Sequence, residues 1–187
     1  MELPLVQEPS TKAELIRELR SLHEQSTSFW SDFSTAEFFT PLGDAWSPAD
    51  NVRHLLKTNR PVVRALSLPR PVLLVRFGLT LRSSRSYSQV RETYLGALAA
   101  GVTAGRFAPA PEPVADDPEA ARRALMERRD VVATGLESAL GSWSAWSLDR
   151  FRLPHPALGS LTVREMLFFT LYHNLHHVQN VARRLAA

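Results

Sequence analysis

The chain has 187 residues, 22 Lys and Arg against 19 Asp and Glu for a formal charge of +3, and no cysteine. A chain of this length can bury about 70% of the surface it exposes when unfolded, so it needs no disulfide or structural staple. Without cysteine there is neither a disulfide framework nor a thiolate metal site, and any metal must be held by histidine or oxygen ligands. Only Lys12 and Lys57 depart from an arginine-based positive charge, and no block of five or six like charges marks a nucleic-acid arm.

The chain opens MELPLVQEPSTKAEL, which lacks the basic-then-apolar profile of a signal peptide. The longest apolar stretch, PVLLVRFGLTLR, is broken by Arg76 and Gly78 and is too short for a membrane span. A cytoplasmic protein with no membrane partner is therefore expected.

Helix one is predicted to start at a capping box, Thr11 with Glu14, and to run to about Phe33, with Leu15, Leu19, Leu22, Phe29 and Phe33 at helical spacing. Ser47, Pro48 and Asp50 announce a second helix, whose main stripe is Val52, Leu55, Leu56, Val63 and Leu66. Asp50 is read as a capping charge at the positive end of the dipole. Pro61 lies inside the pattern and predicts a kink or break near Asn59. Between Leu68 and Phe107 prolines and the RSSRS segment interrupt the pattern before a helix from about Tyr87 to Ala100. The stretch from Ala108 to Pro118, proline-rich and acidic, reads as a surface connection. A further helix spans about Pro118 to Leu140. The last starts at a second Thr/Glu capping box, Thr162 with Glu165, and continues to about Arg184. No strand-like alternation is sustained, so the expected class is all-α: four main helices with one or two extra helical segments, in a single domain over residues 1–187.

The last helix carries charge only near its ends, at Arg164, Glu165, Arg183 and Arg184. Leu167, Leu171, Leu175, Val178 and Ala182 make one apolar face, and Met166, Phe169 and Thr170 lie nearly opposite, the pattern of a central helix. His173 and His177 fall on the second face one turn apart, where Cβ atoms at i and i+4 are roughly 5–6 Å apart and two rings can converge on one metal. A polar seam of hydrogen-bonded rings is the plain alternative. Asn174 stands where a zinc-protease motif needs glutamate, which argues against that class. His176 is an alternative ligand or a base beside the site.

His54 is the candidate third ligand. Arg53, Lys57, Arg60 and Arg64 crowd into an arc of about 60° on the second helix, whereas the line through His54, Thr58, Pro61 and Ala65 carries no charge and can face a neighbour. His23 is read as a surface residue, and His155, between prolines, as structural or as shaping the mouth of the site. Asn180 and Gln179 are candidates for orienting the ligands from behind. Arg53, Arg60, Arg76 and Arg82 can meet a substrate carboxylate, although a solvated face accounts for most of them. The tryptophans at 30, 46, 143 and 146 are read as core or lid packing.

Three segments, W46SPADNVRHLL56, the HPALG turn from His155 to Gly159, and LTVREMLFFTLYHNLHHVQN from Leu161 to Asn180, together resemble the DinB superfamily, with its DinB-like and YfiT-like proteins, and in it the DinB-like domain group. The resemblance implies an up-down four-helix bundle and a divalent metal, nickel or zinc foremost and iron or manganese as alternatives, on three histidines that map onto His54, His173 and His177. It further implies a small-molecule substrate, a homodimer, and transfer of a low-molecular-weight thiol such as mycothiol or bacillithiol, or isomerisation with such a thiol. The rival readings are a non-enzymatic metal-binding or interaction member of the same fold and a damage-response protein touching DNA. No continuous basic face supports the last of these.

Overall fold

The structure is a computed structural model that describes residues 2–110, 112 and 115–186. In chain order it runs α1 (Lys12–Ser31), α2 (Thr35–Phe39), α3 (Pro48–Ser67), α4 (Arg70–Phe77), α5 (Tyr87–Ala99), a 3-10 turn (Gly105–Phe107), α6 (Pro118–Gly141), α7 (Ala145–Arg150), β1 (Arg152–His155), β2 (Gly159–Thr162) and α8 (Val163–Leu185). Pro111, Pro113 and Val114, in the expected surface connection, lie outside the described residues.

Side-chain capping sets where the long helices begin. Thr11 with Glu14, Ser47 with Asp50 and Thr162 with Glu165 each close both halves of a capping box, satisfying backbone N–H groups that the first turn leaves open. Helix α1 stops at Ser31, short of Phe33, because Ser34 and Glu37 form another capping box that starts α2 in a new direction. Phe33 is still buried.

Four long helices, α1, α3, α6 and α8, make the bundle: α3 packs along α6, α1 lies against both α6 and α8, and α8 also meets α3 and α5. Its core is nearly continuous around α8, where every residue from Val163 to His173 is buried. A helix apolar on two sides must sit between layers, and this one does.

The structure departs from expectation in two places. Of the kink or break expected near Asn59, the break is absent, and helix α3 continues through Pro61. The missing Pro61 N–H forfeits one rung, but Val52, Leu55, Leu56, Val62 and Leu66 are buried along the same helix, and Gly135 of α6 approaches so closely that an added Cβ would stand 3.3 Å from Val63. Packing of this face outweighs a local defect of about 3 kcal/mol. The chain also contains a strand pair, β1 and β2, antiparallel with His155 opposite Gly159. Four residues per strand are too few for an alternation to register, and Pro154 in β1 removes one of the signals by which a strand is recognised.

Two buried charges hold the end of α8. Glu165 is fully buried and accepts from Arg82 at 2.5 and 2.7 Å, from the Arg85 side chain at 3.1 Å and from the Arg85 backbone N–H at 2.8 Å. Arg164 donates to Asp149 at 2.6 and 3.1 Å. The 78–86 connection is thereby tied to the bundle although it contains no helix.

Candidate metal centre

Residues 119 and 4 positions apart meet inside the bundle. The Nε2 atoms of His54 and His173 are 3.2 Å apart, as are those of His177 and His173, and all three rings are buried. Two nitrogens each about 2.0–2.1 Å from one ion at a tetrahedral angle stand about 3.3–3.4 Å apart, so the observed spacing suits a shared cation.

The outer nitrogens determine what the inner ones present. Asn51 Nδ2 donates to the Ser47 carbonyl at 2.9 Å, which turns Asn51 Oδ1 toward His177, and His177 Nδ1–H donates to it at 2.7 Å. His54 Nδ1–H likewise donates to the Phe107 carbonyl at 2.9 Å. Both rings therefore carry their proton on Nδ1 and aim an Nε2 lone pair at His173. His173 can donate from Nε2 to only one of them, and its buried Nδ1 has no partner among the described residues. A cation among the three Nε2 atoms resolves this conflict, because all three lone pairs then have a use.

Electrostatics point the same way. Burial, and then the neighbouring imidazoles, hold His173 and His177 well below the ordinary histidine value. Burial also lowers His54, against the opposing pull of the Phe107 carbonyl. At neutral pH the three rings are uncharged and able to ligate.

Aromatic rings enclose the trio. Trp46 lies parallel to His177 at 6.2 Å between centroids and 5.1 Å from His54; Phe169 stacks on His173 at 4.9 Å, and Tyr94 meets the same ring edge-on at 5.7 Å. On one side the imidazoles open into a cavity of about 770 Å³ between α3, α5, the 3-10 turn, the β1–β2 turn and α8, with a mostly apolar wall. On the other side of Trp46 a second pocket of about 560 Å³ touches His177, Asn51, Asn180 and the arginines at the end of α8.

His54, His173 and His177 come together, while His176 stands apart from the trio although it lines the large cavity. Asn180 donates to His176 Nε2 at 2.8 Å and accepts from Arg183, so it orients His176 and touches none of the three rings by hydrogen bond. The groups behind the trio are instead Asn51 and the Phe107 carbonyl. Asn51 carried a readable signal, since it sits three residues before His54 on the same helix face; the carbonyl had none. His23 is no free surface group, being partly covered and 3.2 Å from Asp130. His155 does line the cavity, as expected of a residue at its mouth. Asp50 caps α3 as expected, and also holds Arg53 at 3.0 Å. Of the four arginines considered for a carboxylate, Arg53 and Arg82 are engaged by Asp50, Glu112 and Glu165, and none of the four lines the cavity. Trp30 and Trp143 are core residues, whereas Trp146 is 62% exposed and packs nothing in.

The fold and this trio define a helix-bundle protein with a candidate three-histidine metal centre. The chain belongs to the DinB superfamily, whose family model matches residues 18–181. Among solved structures it is similar to the crystal structure of TT2238, a four-helix bundle protein, at 16% identity, a TM-score of 0.57, and coverage of 92% of this chain and 99% of that one. At that identity the likeness shows the fold alone. No curated protein matches the chain. Among the described residues no helix is long and apolar enough to cross a membrane.

Proposed function

We propose that the chain is a divalent-metal-dependent enzyme acting on a small, largely apolar molecule in the cavity, with a low-molecular-weight thiol as cosubstrate. The observation that carries this reading is the set of three Nε2 atoms, two of them held in the ligating tautomer by Asn51 and the Phe107 carbonyl, at the end of an apolar cavity. His54, His173 and His177 would hold the ion. Three neutral ligands leave such an ion its full charge and an open position, and a bound thiol or water becomes far more acidic there.

The protein's own residues supply the rest. Trp46, Phe169 and Tyr94 pack against the imidazoles and fix the ring planes. The apolar wall favours an electrophile that is poorly soluble in water over a charged metabolite. With no cysteine in the chain, the thiol must diffuse in, which accords with the thiol chemistry implied by the family resemblance.

The test is metal content of the untagged protein beside His54→Ala, His173→Ala, His177→Ala and His176→Ala. Near-stoichiometric nickel or zinc, lost in the first three and kept in the fourth, is the expected result, followed by metal-dependent consumption of a cysteine-derived thiol with an apolar electrophile. Absence of metal after reconstitution at neutral pH overturns the metal reading. Bound metal without thiol consumption favours a non-enzymatic metal-binding member of the fold.

A further inference from the structure

The HPALG turn holds a histidine whose two nitrogens have different environments. His155 Nδ1 accepts from the backbone N–H groups of Ala157 at 3.2 Å and Leu158 at 3.0 Å, closing the hairpin whose Gly159 takes φ +72°. An imidazole nitrogen that accepts two N–H groups carries no proton, so the proton of the neutral ring must be on Nε2. That atom has no hydrogen-bond partner among the described residues, and it is not one of the buried atoms sealed without a partner. The ring lines the large cavity.

The location matters as much as the tautomer. The His155 ring meets Phe169 edge-on at 4.2 Å, and Phe169 in turn stacks on His173. His155 is thus one ring removed from the candidate metal centre. The surrounding wall is apolar at Pro61, Val62, Phe77, Leu98 and Met166; of the other polar groups, Thr58 donates back to its own helix and His176 accepts from Asn180, while Trp46, Tyr94 and Thr103 are further donors on the lining. Arg106 is exposed and lies over its neighbour Phe107. A neutral N–H in an apolar wall is a directional contact for one acceptor atom, since leaving such a donor unpaired under a bound ligand costs more than pairing it gains.

We propose that His155 is a fixed hydrogen-bond donor of the cavity, whose Nε2–H selects and positions a neutral apolar carbonyl compound through its oxygen. The inference deepens the functional reading by naming a substrate class, and it rests on that reading only in taking the cavity as the substrate chamber; thiol transfer is not needed for it. His155 is a positioning residue here. Burial pushes the ring down to about 4, so it stays a neutral donor throughout the neutral range.

The experiment compares two probes of one shape, 2-acetylnaphthalene and 2-isopropenylnaphthalene, which differ in a carbonyl oxygen against a methylene. Their dissociation constants are measured by titration calorimetry on the zinc-loaded full chain, on His155→Asn and on His155→Phe. Asparagine keeps an acceptor for the Ala157 and Leu158 N–H groups but has no donor where Nε2 stands; phenylalanine keeps the ring against Phe169. Wild type is expected to bind the ketone about five-fold more tightly than the hydrocarbon, and both variants to lose that preference while binding the hydrocarbon as wild type does. Nitrogen-15 spectra of wild type are expected to show Nε2 protonated and Nδ1 not, with the Nε2 signal moving on addition of the ketone and not of the hydrocarbon. A preference that survives in both variants, or a His155 protonated on Nδ1, overturns the role of His155 and leaves the cavity reading standing. If neither probe binds wild type, the substrate-chamber reading fails and this proposal with it.

Discussion

Asn51 Oδ1 accepts the Nδ1–H of His177 at 2.7 Å, joining α3 to α8 behind the imidazole trio. The same amide donates to the Ser47 carbonyl, so its orientation is not free. Asn51→Leu is expected to weaken zinc affinity by about 10- to 100-fold, because the His177 ring is then no longer held in its ligating tautomer. Asn51→Asp keeps the acceptor for His177 but loses the donor to the Ser47 carbonyl, and is expected to retain more zinc affinity than Asn51→Leu. Competition with a fluorescent chelator measures both, and an unchanged affinity in Asn51→Leu would show that the contact does not tune the site.

Metal removal is expected to lower thermal stability. An ion that binds only the folded chain adds about 4 kcal/mol when present at a thousand times its dissociation constant. Calorimetric melting with and without a chelator should show the loss, and the difference should vanish in His173→Ala. A chelator-sensitive midpoint in that variant would place the stabilising ion elsewhere.

Glu165 makes a pH-dependent contribution. Burial, the largest single influence, would raise its carboxyl, but the hydrogen bonds from Arg82, Arg85 and Thr162 together bring it from 4.5 to about 2. A depressed carboxyl stabilises the fold fully above its unfolded value and loses that contribution as pH falls from about 4.5 toward 2. Glu165→Gln is therefore expected to cost about 2–3 kcal/mol at pH 7, a figure discounted for the partial exposure of both arginines, with a cost that shrinks below pH 4. Urea unfolding of the pair at pH 7, 4 and 3 checks this; a constant difference across that range would contradict it.

Arg129 is a buried cation with no buried acid beside it. Burial lowers its guanidinium to about 10, and its donors go to Thr27 at 2.6 Å, to Ser26 and to the His23 carbonyl. Those hydroxyls keep bonds to their own helix without it. Arg129→Met is expected to change stability by less than about 1 kcal/mol or to raise it, whereas Arg129→Ala, which opens a void between α1 and α6, should cost about 2–3 kcal/mol. Denaturant midpoints of the two variants decide it, and a large loss in the methionine variant would mean that the polar bonds outweigh the burial of the charge.

Much of this was legible in the residues because it is local. Capping residues mark the starts of α1, α3 and α8, and the arc of Arg53, Lys57, Arg60 and Arg64 left the uncharged line through His54 able to face a neighbour. What was not legible depends on contacts between distant segments. The Phe107 carbonyl meets His54 across 53 positions from a stretch without periodicity, and a backbone oxygen leaves no mark on a side-chain pattern. Arg82 and Arg85 reach Glu165 across 83 and 80 positions, so nothing local in RSSRS ties its charges to the bundle. Pro61 misled for the opposite reason: its local rule is sound, but the α3–α6 packing that overrides it is tertiary.

Trp46 gives the molecule an optical handle. Its indole lies flat beside His177 and close to His54, half-buried, while Trp30 and Trp143 are sealed in the core and Trp146 faces solvent. In a Trp146→Phe background, a paramagnetic ion such as copper(II) at the three imidazoles should quench the emission of this nearby indole far more than that of the two core ones. Occupancy of the centre could then be followed by fluorescence in real time, without a label.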